Sequence, residues 1–299
     1  MDFTSGFHQM PLDKDSQECT TFTCIDGNFK WKRPPMGLKN VPPYFQQIMT
    51  QTVFPSELHK ILEIYLDDLI TWAQNVDELI KNLARIFSLI RRHNLILNPA
   101  KCRFGLSEVE YVGHLINNQG LTFSADKLSS VKNFVQPRTK GELKSFVGLG
   151  NYFRDHIPNY SALVHPLAQM LNGYTKKSRK ETIVWTPDTS QCFEAVKAAI
   201  GDCQQLFFRN ESAPIRVYTD ASDYGIGAYL CQVVDDKEQP IGFLSKTLTK
   251  AEKRWSVYEK EAYAIFYALK KWEHHLRDNK FTLFTDHRNL TYLNKDPSA

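Results

Sequence analysis

Through the first third of the chain, apolar residues come in short strand-like runs; in the middle they recur at helical spacing. The run FKWK reads as a strand, Pro34-Pro35 and Pro42-Pro43 interrupt it, and a helix is expected from Tyr44. The segment LEIYL-DD-LITW sets β-branched and aromatic residues on both sides of an acidic pair. That predicts a two-residue hairpin with Asp67 and Asp68 at its tip. Leu79, Leu83, Ile86, Phe87 and Ile90 then recur at helical spacing, and Arg91, Arg92 and His93 fall in the last turn, where cations suit the helix dipole. A glycine-bearing hairpin, EVEYVGHLINNQGL, closes this region. From about 120 to 173 the pattern is helical. Thr139 with Glu142 three residues on is a capping-box arrangement, and Leu143, Phe146, Leu149 and Phe153 share one face. Residues 174–184 read as a polar, basic linker, and a short amphipathic helix follows Trp185. From about 213, strands IRVYTD, IGAYLCQVV and IGFLSK lead into a long helix through EKEAYAIFYALKKWEHHL, then a strand FTLFTD.

At 299 residues the chain is long enough for two or more domains with real cores. No apolar run approaches a membrane span, and the N-terminus lacks a basic-then-apolar leader pattern. The six cysteines (Cys19, Cys24, Cys102, Cys192, Cys203, Cys231) form no C-x-x-C pair and read as reduced thiols of an intracellular protein. Among the histidines only His274-His275 are adjacent, and they read as a solvated helix end. The net charge of +4 decides little, but its distribution matters. Residues 127–180 carry ten Lys/Arg against only Glu142 and Asp155, a local +8 that leaves the rest of the chain net acidic. Such a segment fits a phosphate-backbone contact. It fits equally a solvated surface with a flexible linker at TKKSRKE.

Three carboxylates stand at strand ends or turns in the first region: Asp2, Asp67 and Asp68. Nucleotidyl transfer on two metals needs oxygen ligands that hold two divalent cations about 3.5–4 Å apart. A pair at one hairpin tip and a third from a neighbouring strand can do this, although spacing alone is explained as simply by a turn. Without metals, adjacent carboxylates repel, and one is pushed towards protonation. A second set has its own logic. Asp220 ends one strand, Asp286 ends another, and Glu261 lies on the helix between them in sequence, so the three can converge on one metal pair. Taken singly, each reads as a surface charge. Gly225 and Gly227 fit a tight turn into the second strand.

The order of the surrounding motifs is more specific. MDFTSGFHQMPLDKD resembles the first catalytic motif of the reverse transcriptases of gypsy-type LTR retrotransposons, and RPPMGLKNVPPYFQQIM resembles their template- and nucleotide-contacting motif. IYLDDLI is similar to their Y-x-D-D box, NPAKCRFG to the lysine-bearing motif, and EVEYVGHLINNQGL to the primer-grip hairpin. The likeness continues through LKSFVGLGNYFRDHIPNYSALVHPL, similar to a thumb, into a domain similar to retroelement ribonuclease H. The fold class this implies is α+β and multidomain: a right-hand polymerase palm with partial fingers over 1–118, a thumb over 119–173, a connection over 174–212, and a truncated ribonuclease H-like α/β domain with a mixed sheet over 213–299.

The resemblance implies two activities, RNA- and DNA-directed DNA synthesis and cleavage of the RNA strand of RNA–DNA hybrids. It makes Asp2, Asp67 and Asp68 the polymerase metal ligands and Asp220, Glu261 and Asp286 those of the nuclease, with two Mg²⁺ per site and Mn²⁺ as a substitute. Phe7 matches the aromatic that excludes a ribose 2′-hydroxyl, Tyr65 the residue beneath the primer terminus, and Lys101 a lysine that protonates leaving pyrophosphate. Gln46, Gly113 and His114 match further substrate-binding positions in the nucleotide-contacting and primer-grip motifs. Partners implied are an RNA or DNA template-primer, the RNA–DNA hybrid and deoxynucleoside triphosphates, with no membrane and an open oligomeric state. The setting implied is intracellular, in a cytoplasmic particle or the nucleus.

Several departures from the family pattern set expectations of their own. The chain starts one residue before Asp2, so the upstream fingers segment is missing; Asp2 is expected to lack the strand that would fix it, with a free α-amino group opposing metal binding. The family's MPFGL reads PPMGL, and its Lys-Thr-Ala-Phe reads CTTF with Cys19 in the basic position. A further strand and helix with a fourth carboxylate are expected beyond LTYLNKDPSA. A truncated or domesticated relic that binds nucleic acid without catalysis is the alternative reading.

Overall fold

The computed structural model describes residues 1–292. It divides into two compact units, Met1–Gly113 and His114–Ala299. The first contains α1 (Lys14–Glu18), β1 (Phe22–Cys24), β2 (Gly27–Phe29), α2 (Val41–Ile48), β3 (Leu62–Tyr65), β4 (Asp68–Thr71), α3 (Val76–Arg92) and β5 (Glu108–Tyr111). Pro42 and Pro43 do not break structure here: they start α2, because prolines at the first helical positions forfeit only amide bonds the helix does not make. Asn75 caps α3 by accepting from the Glu78 amide at 2.9 Å; Asp77 and Glu78 in the first turn and Arg91 and Arg92 in the last complement the dipole. Ile86 and Ile90 bury the helix against Phe45, Met49, Leu62 and Leu69, whereas Phe87 stays exposed and meets Phe104 edge-on.

The second unit begins with β6 (His114–Asn117) and β7 (Gly120–Thr122), followed by α4 (Ala125–Lys132), α5 (Lys140–Phe153), α6 (Tyr160–Met170), α7 (Pro187–Gly201) and β8 (Leu206–Phe207), which pairs with β7. Thr139 caps α5 through the Glu142 amide, while the Glu142 carboxylate accepts from the Arg138 amide, one residue outside the cap. Leu143, Phe146 and Phe153 of α5 pack with Tyr160 and Leu167 of α6 and with Phe193, Val196 and Ile200 of α7 in one core. The stretch expected as a linker is therefore fastened to the helices. Ile183 donates to Arg138 O (3.1 Å), Lys140 to Glu181 O (2.9 Å), and the Trp185 indole to Pro137 O (2.7 Å). The apolar stripe at 193, 196 and 200 cannot stay in water, and burying it draws the polar stretch along.

The chain then forms β9 (Ile215–Ala221), β10 (Gly225–Val234), β11 (Lys237–Thr247), α8 (Val257–Lys271), α9 (Glu273–Leu276) and β12 (Phe281–Phe284). The sheet order is β11-β10-β9-β12, antiparallel except for β12, which runs parallel to β9. This is the expected mixed sheet. Ile215, Val217 and Leu230 meet Ala268 and Trp272 from the helical layer. Across the sheet, the register neighbours Phe284, Tyr218, Tyr229 and Phe243 stack ring on ring at 4.6, 5.8 and 4.9 Å. No helix among the described residues is long and apolar enough to cross a membrane. Phe146 is fully buried against Phe134 and Phe193. Phe146→Ala should therefore cost about 3–5 kcal/mol in urea unfolding, the range for emptying a buried aromatic site.

Candidate functional site

In the first unit the sequence places the acidic pair near a hairpin tip, but the register moves it. Tyr65 pairs with Asp68, so the loop is Leu66-Asp67 and Asp68 opens β4. The expected Asp67-Asp68 tip is displaced by one residue, and Leu66 takes the left-handed conformation (φ 52°) that a glycine usually fills. Gln46 on α2 secures this strained corner. Its amide oxygen accepts from Leu66 N–H at 2.7 Å and its amide nitrogen donates to Ile64 O at 3.0 Å. Both ends of the Gln46 carboxamide are thus engaged with the hairpin.

Asp2 is not left loose, contrary to expectation. It bridges antiparallel to Asp68, with Met1 N donating to Leu69 O (2.7 Å) and Leu69 N to Met1 O (2.9 Å). On its other side Asn98 N donates to Asp2 O (2.9 Å), and Phe3 bridges to Leu97. Main-chain bonds therefore hold the segment around Asp2 on both sides. Burial, then the charge of Asp2, raises the carboxyls of Asp67 and Asp68 above their ordinary range. Asp67 Oδ1 is buried without a hydrogen-bond partner, and Gly6 makes room for it: a Cβ there would stand 2.6 Å away. Gly6 carries no chemical group and no periodicity, so nothing in the sequence pattern marks it.

Lys101 Nζ lies 3.5 Å from Asp2 Oδ2. Phe7 packs edge-on against Phe45 at 5.4 Å, and Tyr65 is 54% exposed beside the carboxylates. Val112 and Gly113 both have positive φ, as a type I′ turn requires. His114 rests within the second unit against Phe123 (4.8 Å) and Tyr152 (5.2 Å).

Parallel pairing of β9 and β12 brings the ends of these strands side by side, and Asp220 and Asp286 stand there. Glu261 reaches them from the buried face of α8. Among the described residues these three form the one group of candidate donors whose ligand atoms all lie within 4.8 Å of one another. Glu261 Oε1 accepts from Ala221 N–H at 3.2 Å, while Oε2 is buried with no partner. Burial foremost, then the charges of Asp286 and Asp220, pushes the Glu261 carboxyl up to about 7. Three converging carboxylates with an orphaned, desolvated oxygen form a donor set that suits hard divalent cations.

Model descriptions of two families match this chain. Residues 1–116 match the reverse transcriptase (RNA-dependent DNA polymerase) family, and residues 210–299 match the RNase H-like domain found in reverse transcriptase. The Tf2-3 and Tf2-4 transposon polyproteins of Schizosaccharomyces pombe are each 33% identical over 293 residues, 97% of this chain and 22% of theirs. The chain thus spans about a fifth of the length of these relatives. Among solved structures, foamy viral protease-reverse transcriptase in complex with double-stranded DNA is similar in two forms. They share 25% identity with this chain, at TM-scores of 0.80 and 0.77, over 99% of it and 51% and 60% of theirs.

Two outcomes follow from the site geometry. Gln46→Met removes the clamp and leaves the Leu66 amide unpaired; stability in urea should fall by about 1–3 kcal/mol, the cost of an unsatisfied buried group. In metal-free protein, Glu261 keeps a proton that the unfolded chain releases above 4.5, so folding stability should decline as pH rises from 4.5 to about 7. Glu261→Gln should flatten that decline and raise the melting temperature at pH 8 more than at pH 4. Equal slopes for the two proteins would contradict the assignment.

Proposed function

Because this chain belongs to the reverse transcriptases of gypsy-type LTR retrotransposons, with their RNase H-like domain attached, we propose that it builds DNA on RNA or DNA templates and hydrolyses the RNA strand of the resulting hybrid. The observation that carries the hydrolytic half is the convergence of Asp220, Glu261 and Asp286 within 4.8 Å around an unpartnered buried oxygen. The polymerising half rests on the main-chain pairing of Asp2 with Asp68 beside the buried Asp67. Each set would hold two Mg²⁺, with Mn²⁺ able to replace them. When bound, such ions lower the pKa of an attacking hydroxyl or water and stabilise charge on the transferring phosphoryl group.

The chain's own residues supply the rest. The Gln46 clamp and the Asp2 bridge hold the carboxylates of the first set in place before substrate arrives, so little reorganisation is left for the reaction. Tyr65, exposed next to Asp68's strand, supports the primer terminus, and Phe7, backed by Phe45, presents a wall against a 2′-hydroxyl on the incoming deoxynucleoside triphosphate. Lys101, on a turn started by Asn98, is the donor for the leaving pyrophosphate. Gly113 and His114, at the turn between β5 and β6, contact the primer strand in this reading. In the second set, Asp220, Glu261 and Asp286 would hold the cations, with the unpartnered Glu261 Oε2 among the donors, and the ions would supply an attacking water of lowered pKa. The foamy viral relatives are held with double-stranded DNA or RNA/DNA hybrid, which supports the same partners here; recognition of backbone and groove shape, rather than base identity, suits an enzyme that must copy any sequence. The setting is a cytoplasmic particle or the nucleus.

Separate active sites give separable losses. On a poly(rA)-type template with Mg²⁺, wild-type protein should extend a DNA primer and cleave a hybrid. Asp67→Asn should bring extension to background and leave cleavage, and Asp286→Asn should do the reverse. Extension equal in wild type and Asp67→Asn would reject the polymerase site, and absence of both activities would favour the nucleic-acid-binding relic.

A further inference from the structure

A cavity of about 150 Å³ opens beside Asp220, and part of its wall comes from the helical portion of the same unit. Asn159 and Ser161 at the start of α6 and His165 in its middle line it together with Asp220, Ser222 and Tyr224. The volume is enough for a few waters at about 30 Å³ each, or one sugar, and too small for a base pair.

Asn159 is held in an unusual way. Its backbone is left-handed (φ 51°, ψ 30°), and its side chain does not cap the helix it precedes. The carboxamide oxygen instead lies against Gly227, where an added Cβ would stand 3.0 Å from it. Gly227 is the register partner of Asp220, so the amide stands over the strand pair that carries this carboxylate. The segment is tied down on both sides: Ser161 N–H donates to Ser245 Oγ at 2.6 Å, and the Arg154 guanidinium donates to Ser245 O. Next to it, His165 packs against the Tyr224 ring at 5.6 Å, and Lys253 Nζ sits 5.5 Å over the same ring. Tyr224 is 60% exposed. An amide and an imidazole from the α6 segment and a phenol from the turn into β10 therefore line one cavity with a carboxylate of the cluster, and an ammonium lies over the phenol ring.

We infer that Asn159 and His165 are substrate-contacting residues of the hydrolytic site, although they lie outside the RNase H-like domain. The Asn159 carboxamide meets the 2′-hydroxyl of a ribonucleotide next to the scissile phosphate, and the His165–Tyr224 pair carries the neighbouring nucleotide, with Lys253 towards its phosphate. A carboxamide offers both a donor and an acceptor, which a 2′-hydroxyl can match and a deoxyribose cannot. Stacked aromatic and cationic side chains suit a nucleotide without reading its base. This inference rests on the proposed ribonuclease H activity.

The discriminating variant is Asn159→Gly, since glycine keeps φ 51° without strain while the amide is lost; His165→Gln tests the ring. On an RNA–DNA hybrid, Asn159→Gly should raise KM about three- to tenfold, the scale of one hydrogen bond, with kcat and melting temperature little changed. Replacing single ribonucleotides by deoxyribonucleotides near the cleavage point should reveal one position where wild type loses the same factor and the variant loses nothing more. An unchanged KM, or a fall in kcat together with melting temperature, would overturn the contact and leave Asn159 a docking residue. Affinity for the hybrid and for all-DNA duplex, measured in Ca²⁺ by fluorescence anisotropy, separates this from the activity itself. If wild type does not cleave but Asn159→Gly weakens hybrid binding alone, the contact stands and the hydrolytic reading falls; if neither affinity changes, both fall.

Discussion

The parallel pairing of β12 with β9 is the contact on which the cluster of Asp220, Glu261 and Asp286 depends. Two strands that run the same way end on the same side of a sheet, so Asp220 and Asp286 come together although 65 residues separate them. A parallel pair needs a crossover, and α8 provides it. That helix must bury an apolar face on the sheet, through Ala264, Ile265 and Ala268, and Glu261 lies on the same face one turn earlier. Packing of the helix therefore carries a carboxylate into the place where the two strand ends meet.

Gathering like charges out of water is unfavourable, and both sites show the same physical signature. Burial is the leading cause of the raised carboxyls at Asp67, Asp68 and Glu261, with neighbouring acids adding to it. Each site also holds one carboxylate oxygen that is buried and unpaired, Asp67 Oδ1 and Glu261 Oε2. Such atoms are sustained only because the surrounding scaffold is stable without them: the Phe45–Met49–Leu62 core in one unit, the sheet–helix layer in the other. Hard cations would relieve the repulsion at either place.

The two sites differ in how they are held. The set of Asp220, Glu261 and Asp286 hangs on regular elements, two strand ends and a helix face. The set of Asp2, Asp67 and Asp68 depends on a short left-handed corner at Leu66, fastened by one glutamine, and on an extended segment at residues 1–4 pinned by main-chain bonds to residues 69 and 96–98. Local corners of this kind can be adjusted by substrate, whereas strand ends in a sheet are rigid.

By itself the sequence determined the element order and the helical faces around Phe146 and Ile86; its motifs singled out both acidic sets, and the resemblance they carry implied the mixed sheet. These are local or motif-borne properties: periodicity marks a buried face wherever it is placed, and a Y-x-D-D box is readable in one dimension. Tertiary structure decided what depends on pairing partners. Strand register moved the turn to Leu66-Asp67, because which residues face each other across a hairpin depends on the twist and on what fastens its end, here Gln46 from another element. Main-chain bonding to Leu69 and Asn98 gave Asp2 a support invisible in its own neighbours. The basic stretch at 174–184 reads as a free linker by composition and is anchored by the apolar stripe that follows it. Asn159 and Gly6 became visible only in three dimensions, where the Asn159 carboxamide lies against Gly227 and the Asp67 carboxylate against Gly6, since neither a lone amide nor a glycine announces in sequence what it will stand beside.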